Sequence, residues 1–336
     1  MDMFFNTSRY TGCIASLLLS YVLLTGCSNP NQSDIDTLKA LYKSTNGENW
    51  RKNENWNSEK PLNTWYGIKT NAEGAVTEID LESNYLKGRL PENVTGLKKL
   101  KVLNIGSSSL NGPLPPVWLE SQSMEKLKLH NCGFTGSLPL SITKLKELSY
   151  LYLYGNHFTG AIPVDLYQLT ELRELRINSN QLSGIISPKI SALKKLRVLH
   201  LNYNQLSGNI PDEISQIPYM NYLDISNNQL TGPIPKSIAK LEYLDYLHAS
   251  DNLLTGPIPL ALLSNDDLYI DVTGNPKISS IPIEFQNQER VSISFDKPKL
   301  ADEKDPIKQW FKEKEQEQIE KYGMSVDMTP ELDLTK

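Results

Sequence analysis

The side chains best suited to chemistry in this chain stand in step. His200, Asp224 and His248 are 24 residues apart, and the same stride backwards reaches Arg176, Tyr152 and Lys128. A histidine, aspartate and histidine set offers the donor types of a zinc site. On adjacent parallel strands, however, the outer two backbones would lie about 10 Å apart, and alternating charge across strands stabilises a sheet without an ion. No metal is therefore expected. Cys132, two residues after His130, reads as an inward-facing structural thiol rather than a nucleophile. The sequence holds no nucleophile elbow, phosphate-binding glycine loop, zinc-ligand helix or CxxC pair. The expectation is a protein that binds rather than catalyses and needs no cofactor.

Composition narrows the partners. With 336 residues, 39% hydrophobic and 22% charged, the chain can bury a sizeable core and does not fit bulk disorder. A net charge of -5 argues against a general hold on phosphate backbones, so nucleic acid is not an expected partner. Three cysteines, at 13, 27 and 132, cannot form a disulfide framework, and stability has to come from packing.

Arg9 precedes an apolar run from Cys13 to Leu24, too short to span a bilayer and placed like the core of a secretory signal over residues 1–26. The run ends in Leu24-Thr25-Gly26-Cys27, which resembles the bacterial lipobox. That resemblance implies a diacylglyceryl group on the Cys27 thiol, cleavage before it and acylation of the new amine. One acyl chain holds a protein only marginally and two or three hold it firmly, so a palmitate-bearing lipoprotein of the bacterial cell envelope is expected. The outer membrane is the expected host. Facing stays open, because the first acidic residue after Cys27 is Asp34. Polar residues 27–32 read as a short tether.

Stepping along the chain by 24 residues gives repeat starts at Val76, Leu100, Met124, Leu148, Leu172, Leu196, Met220 and Leu244. Gly88, Gly112, Gly136, Gly160, Gly184, Gly208, Gly232 and Gly256 form an unbroken column, with proline three residues later everywhere except Ser187. An asparagine column (Asn84, Asn156, Asn180, Asn204, Asn228, Asn252) is interrupted by Ser108 and Cys132. The unit L-x-x-L-x-L-x-x-N-x-L-x-G-x-I-P resembles the 24-residue plant-type leucine-rich repeat, over residues 76–275 with a degenerate ninth unit around Ile270, Val272 and Asn275. No unit can bury its own leucines, so neighbours must stack into a solenoid. The x-L-x-L-x alternation gives each unit a strand with one face inward, and glycine and proline make the other half a tight turn. The resemblance implies a leucine-rich-repeat solenoid with a concave parallel β-sheet and a convex side of short 3₁₀ turns and small strands.

Open solenoid ends need covers. Over residues 33–75, Ser33 is placed to cap a helix with Ile35, Leu38, Leu41 and Tyr42 on one face, ending near Asn46-Gly47. Trp50, Trp56 and Trp65 follow and read as cap core rather than a sugar-binding cluster. This segment resembles the amino-terminal cap of plant-type repeat proteins without their paired cysteines. At the other end, residues 276–336, Asp305-Pro306 and Gly323 bracket a helix with Ile307, Trp310 and Phe311 on a short apolar face, expected to dock on the last repeats. Its charged run from Lys312 to Glu320 reads as a solvated face.

If the strands stack, equivalent slots become stripes. One stripe carries Lys128, Tyr152, Arg176, His200 and His248, and the slot before it carries Tyr150, Tyr222 and Tyr246, with Tyr154 in the slot after. Tyrosine gives contact area at low entropic cost plus a hydroxyl. These nine residues are the expected ligand-binding site for a protein or peptide, the partner that the family resemblance implies. A glycan is the alternative that exposed tyrosines would favour.

Overall fold

The computed structural model describes residues 30–280 apart from 266, together with Phe285 and 292–294. Cys27, the expected secretory signal and the expected helix at 305–323 lie outside the described residues. The stacked x-L-x-L-x segments form an eleven-stranded sheet, parallel throughout except at its first edge. Successive repeat strands pair with no slip, so that Lys128 faces Tyr152, Tyr152 faces Arg176, Arg176 faces His200, His200 faces Asp224 and Asp224 faces His248. The leucines between them, such as Leu151, Leu175, Leu199 and Leu223, are buried in one continuous core.

A second sheet of nine short strands lies across that core, and 3₁₀ turns follow it. From the second unit onward the turn starts directly after the proline, as at Leu140–Lys144 after Pro139 and Asp212–Gln216 after Pro211, whereas Pro91 of the first unit is followed by bends without a 3₁₀ turn. The one unit without proline at that position substitutes a capping bond: Ser187 Oγ accepts from the Lys189 amide at 3.3 Å, and Pro188 opens the turn. The glycine column works as its torsion freedom predicts, with Gly184 at φ +83°, a left-handed conformation costly for other residues.

The asparagine column is a hydrogen-bond ladder. Asn156 accepts from the Phe134 amide of the preceding unit at 3.0 Å and donates to the carbonyls of Leu129 and Leu153 at 2.8 and 3.0 Å. Asn180, Asn204, Asn228, Asn252 and Asn275 repeat the pattern. Each rung satisfies buried backbone groups that the turning chain leaves unpaired. At the break in the ladder the Cys132 thiol lies 3.5 Å from the Ile105 carbonyl, the counterpart of the carbonyl that each asparagine reaches. The thiol is half-buried, and burial pushes it up to about 11.

The first cap is a helix, α1, Gln32–Ser44, against which Trp50, Trp56 and Trp65 pack. Trp50 and Trp56 meet edge to face at 4.8 Å, and all three indole N–H groups donate to backbone carbonyls, of Thr45, Tyr66 and Lys60. They are core, with no indole face offered to a sugar. Ser33 is not the cap expected of it: the N-cap falls two residues earlier, at Asn31, whose side-chain amide donates to the Glu73 carbonyl instead. The charge that organises this end is Asp34, buried in the first turn, whose two oxygens accept from the amides of Val76 and Leu97, each at 2.8 Å. The cap also adds an antiparallel edge strand, Ile68–Thr70, to the first repeat strand, Val76–Asp80, an element that the repeat pattern does not announce.

Candidate functional site

Every one of the nine predicted residues lies on the outward side of the eleven-stranded sheet or directly after its strands, because strand alternation sends the flanking leucines the other way. They form two patches that differ in exposure.

The first patch is open. Lys126 is exposed, and Lys128, Tyr150, Tyr152 and Tyr154 are half-buried. The ammonium of Lys126 stands 5.2 Å from the Tyr150 ring centre, and that of Lys128 stands 5.1 Å from the Tyr152 ring. The Arg176 guanidinium lies 5.1 Å from that same Tyr152 ring, so a cation from each neighbouring strand contacts one tyrosine. The Tyr152 hydroxyl donates to Glu174 Oε2 at 2.5 Å, and Arg176 Nε donates to the same oxygen at 3.2 Å. Burial, then the Glu174 charge, pushes the Tyr152 phenol far above its ordinary range, so it stays a neutral donor. Beside it the His130 ring stacks on Tyr154 at 4.7 Å and pairs with Glu82.

The second patch is a stack of rings. His200 lies 4.6 Å from Tyr222 at an interplanar angle of 14°, His248 lies 5.7 Å from the same ring, and Tyr246 packs at 5.1 Å. Here the expectation of an open stripe is corrected: Arg176, His200, Tyr222, Tyr246 and His248 are all buried, at 6, 7, 4, 1 and 9% exposure. The two tyrosines remain outside the leucine core and pack against each other and against the histidine rings. That burial, with Arg176 and His248 adding their charge, holds the His200 ring well below its usual pKa, while burial raises Asp224. The two histidine rings stack flat against Tyr222 instead of converging on a point beside Asp224, and among the described residues no three metal-ligating side chains come together.

Glu174 is the member that sequence reasoning missed. It joins the two patches, 1% exposed, between Tyr152 and Arg176. Its signal was present: it is a carboxylate two residues before an arginine on the same strand face, with the tyrosines of the neighbouring strand alongside.

The fold and its ladder define the class, a leucine-rich-repeat solenoid. Residues 170–230 and 194–254 match one leucine rich repeat model, and 123–145 and 147–169 match another. Among solved structures, the chain is similar to a plant peptide hormone receptor in complex with RGF2, with 33% identity over 62% of this chain and 33% of that one, TM-score 0.59. It is similar to the repeat ectodomain of the membrane receptor kinase GASSHO1/SCHENGEN3 from Arabidopsis thaliana, in complex with Casparian strip integrity factor 2, with 28% identity over 63% and 29% of the chains, TM-score 0.54. A leucine-rich-repeat protein of Leptospira interrogans is 27% identical over 65% of this chain and 60% of that one, TM-score 0.51. The chain spans 33, 42 and 39% of the length of three receptor chains that it matches. A comparison with curated proteins finds no match.

Proposed function

We propose that this is a binding protein whose open concave patch, centred on Lys128, Tyr150, Tyr152 and Tyr154, recognises a protein or peptide. The observation that carries this reading is the state of the tyrosine rings. Tyr150 is contacted by Lys126, Tyr152 by Lys128 and Arg176, and Tyr154 by His130, so each ring already shares at least one face with a neighbour. A sugar stacks best on an open aromatic platform, which these engaged rings offer less well than a set of bare ones. A peptide instead uses hydroxyl edges, ammonium groups and the apolar flanks between them, which this patch offers. The repeat ectodomains solved with peptide hormones support the same reading. Nothing in the patch assembles a nucleophile with a base, and its role is recognition.

The Cys27 motif extends the proposal to an anchored, extracytoplasmic protein of the bacterial envelope, with the repeat body held near the membrane. Metabolic labelling with palmitate, lost in Cys27→Ala, tests the anchor. For the patch, partners captured by the mature ectodomain from envelope and host extracts are compared with those of Lys128→Ala/Tyr152→Ala. A partner retained by the double variant, or glycan-array binding lost on the same substitutions, would refute the peptide reading.

A further inference from the structure

The residues directly ahead of successive repeat strands continue the backbone ladder: the Arg173 amide donates to the Ser149 carbonyl, and the Arg197 amide to the Arg173 carbonyl, both at 2.8 Å. Their side chains therefore follow one another in steps of about 4.8 Å along the leading edge of the sheet. Early on that edge opposite charges meet, with the Lys101 ammonium 2.8 Å from Glu125 of the next unit. Farther along, Arg173 is followed by Arg197 instead. Like charges in adjacent slots of a sheet repel. Lys195, two residues before Arg197, adds a third cation, and its counterpart one unit on is Tyr219. These four side chains line a hollow of about 110 Å³. Arg173, Lys195 and Tyr219 are exposed and Arg197 is half-buried. The acid nearest by does not balance the cluster. Glu171 is spent on Lys195, whose ammonium lies 2.7 and 2.6 Å from its two oxygens. Among the described residues the Arg173 guanidinium makes no ion pair. Lys194 is engaged elsewhere, donating to the Gln216 carbonyl at 2.9 Å.

We propose that this hollow binds a tetrahedral oxyanion, a phosphate or sulfate group, either free or as a monoester. Guanidinium forks on adjacent strands match the oxygen pairs of such a group, and the ammonium supplies a point charge beside them. An anion seated between Arg173 and Arg197 turns their mutual repulsion into a shared attraction. The Tyr219 ring, held 6.1 Å from that of Tyr243, brings a hydroxyl to the same margin. Size sets the class: the volume is well below the roughly 300 Å³ at which pockets for drug-sized ligands begin, so a single small group enters. The hollow lies ahead of the strands, apart from Lys128 and Tyr152, and does not depend on what the open patch binds.

The test is calorimetric titration of the full chain with sodium phosphate and with sodium sulfate, at an ionic strength held constant with sodium chloride. Saturable binding of one equivalent of at least one of the two ions is expected. Glycerol 3-phosphate titrated in parallel tells the sources apart: tighter binding than inorganic phosphate marks a monoester, and equal or weaker binding marks a free ion. Arg173→Gln/Arg197→Gln is expected to weaken binding about tenfold or more with the circular dichroism unchanged, and Arg173→Gln alone carries the test if the double variant does not fold. Lys194→Gln is the control and should leave the affinity within about twofold. The proposal is overturned if neither ion binds saturably, or if the arginine variants bind as tightly as the unaltered chain. It is equally overturned if Lys194→Gln weakens binding as much as Arg173→Gln, which would make the effect one of general surface charge.

Discussion

His130 reaches across two repeats to Glu82: its Nε2 lies 3.1 Å from Glu82 Oε1, with the ring lying over Gly106 of the intervening unit. A β-carbon on Gly106 would stand 2.3 Å from the imidazole, so the contact exists only because that slot is empty. Gly106 does not have a left-handed φ, and alanine there meets a clash but no torsional obstacle. Gly106→Ala is expected to displace the ring and to cost about 1–3 kcal/mol by overpacking, measured by urea unfolding, with His130→Ala/Gly106→Ala recovering most of the loss.

Acid should weaken the solenoid before it approaches the carboxylate range. His130 and His200 both titrate below the ordinary 6.5, chiefly because burial disfavours the charged ring, with Arg176 and His248 adding to the effect at His200. For a histidine with a depressed folded pKa, stability is complete above about pH 6.5, where neither state is protonated. It falls as pH drops, because only the unfolded chain takes up the proton. The limiting slope is about 1.4 kcal/mol per pH unit for each such ring. Asp224, raised by burial, acts in the opposite sense nearer pH 4. Unfolding free energy measured between pH 7 and 5 should therefore decline, and His200→Gln should flatten the decline.

Tyr152→Phe removes the short hydrogen bond to Glu174 and leaves a buried carboxylate to Arg176 alone. A loss of about 1.5–3 kcal/mol is expected for a bond to a charged group. Tyr152→Phe/Glu174→Gln should lose less than the sum of the single changes, a coupling that a double-mutant cycle reads directly.

Cys132→Asn should repair the ladder. The asparagine can take the Ile105 carbonyl that the thiol now contacts at 3.5 Å, with a gain of about 1 kcal/mol. Because burial pushes the thiol up to about 11, the native cysteine should resist alkylation at pH 8 until the protein is unfolded.

Asp34→Ala strands two buried amide donors, those of Val76 and Leu97. The expected cost is about 2–4 kcal/mol. It should appear in hydrogen exchange as local opening of α1 and the first repeat, while the strands beyond Tyr150 keep their protection.

How far these features could be read beforehand depended on their range. The solenoid, its strand register and the columns were legible because each repeat states its rule again: Asn156 and Gly160 mean what Asn180 and Gly184 mean. The cap was legible as tryptophan-rich core but not in its wiring. Asp34 finds its donors 42 and 63 residues away, and no local spacing distinguishes it from an ordinary acidic residue in a first helical turn. The outward position of Tyr222 and Tyr246 followed from strand alternation. Their burial did not, since side-chain type records which way a residue points and not what lies above it.

The short strand Ile68–Thr70 runs against all the others, is interrupted by a register shift at Lys69/Thr70, and carries an exposed lysine. A parallel stack can in principle be lengthened by any molecule able to offer one more coil at its margin. By reversing direction at the leading margin, the chain presents newcomers with a mismatched, charged and very brief ledge. Copies of the chain at high concentration are thereby discouraged from fusing into a filament at that end.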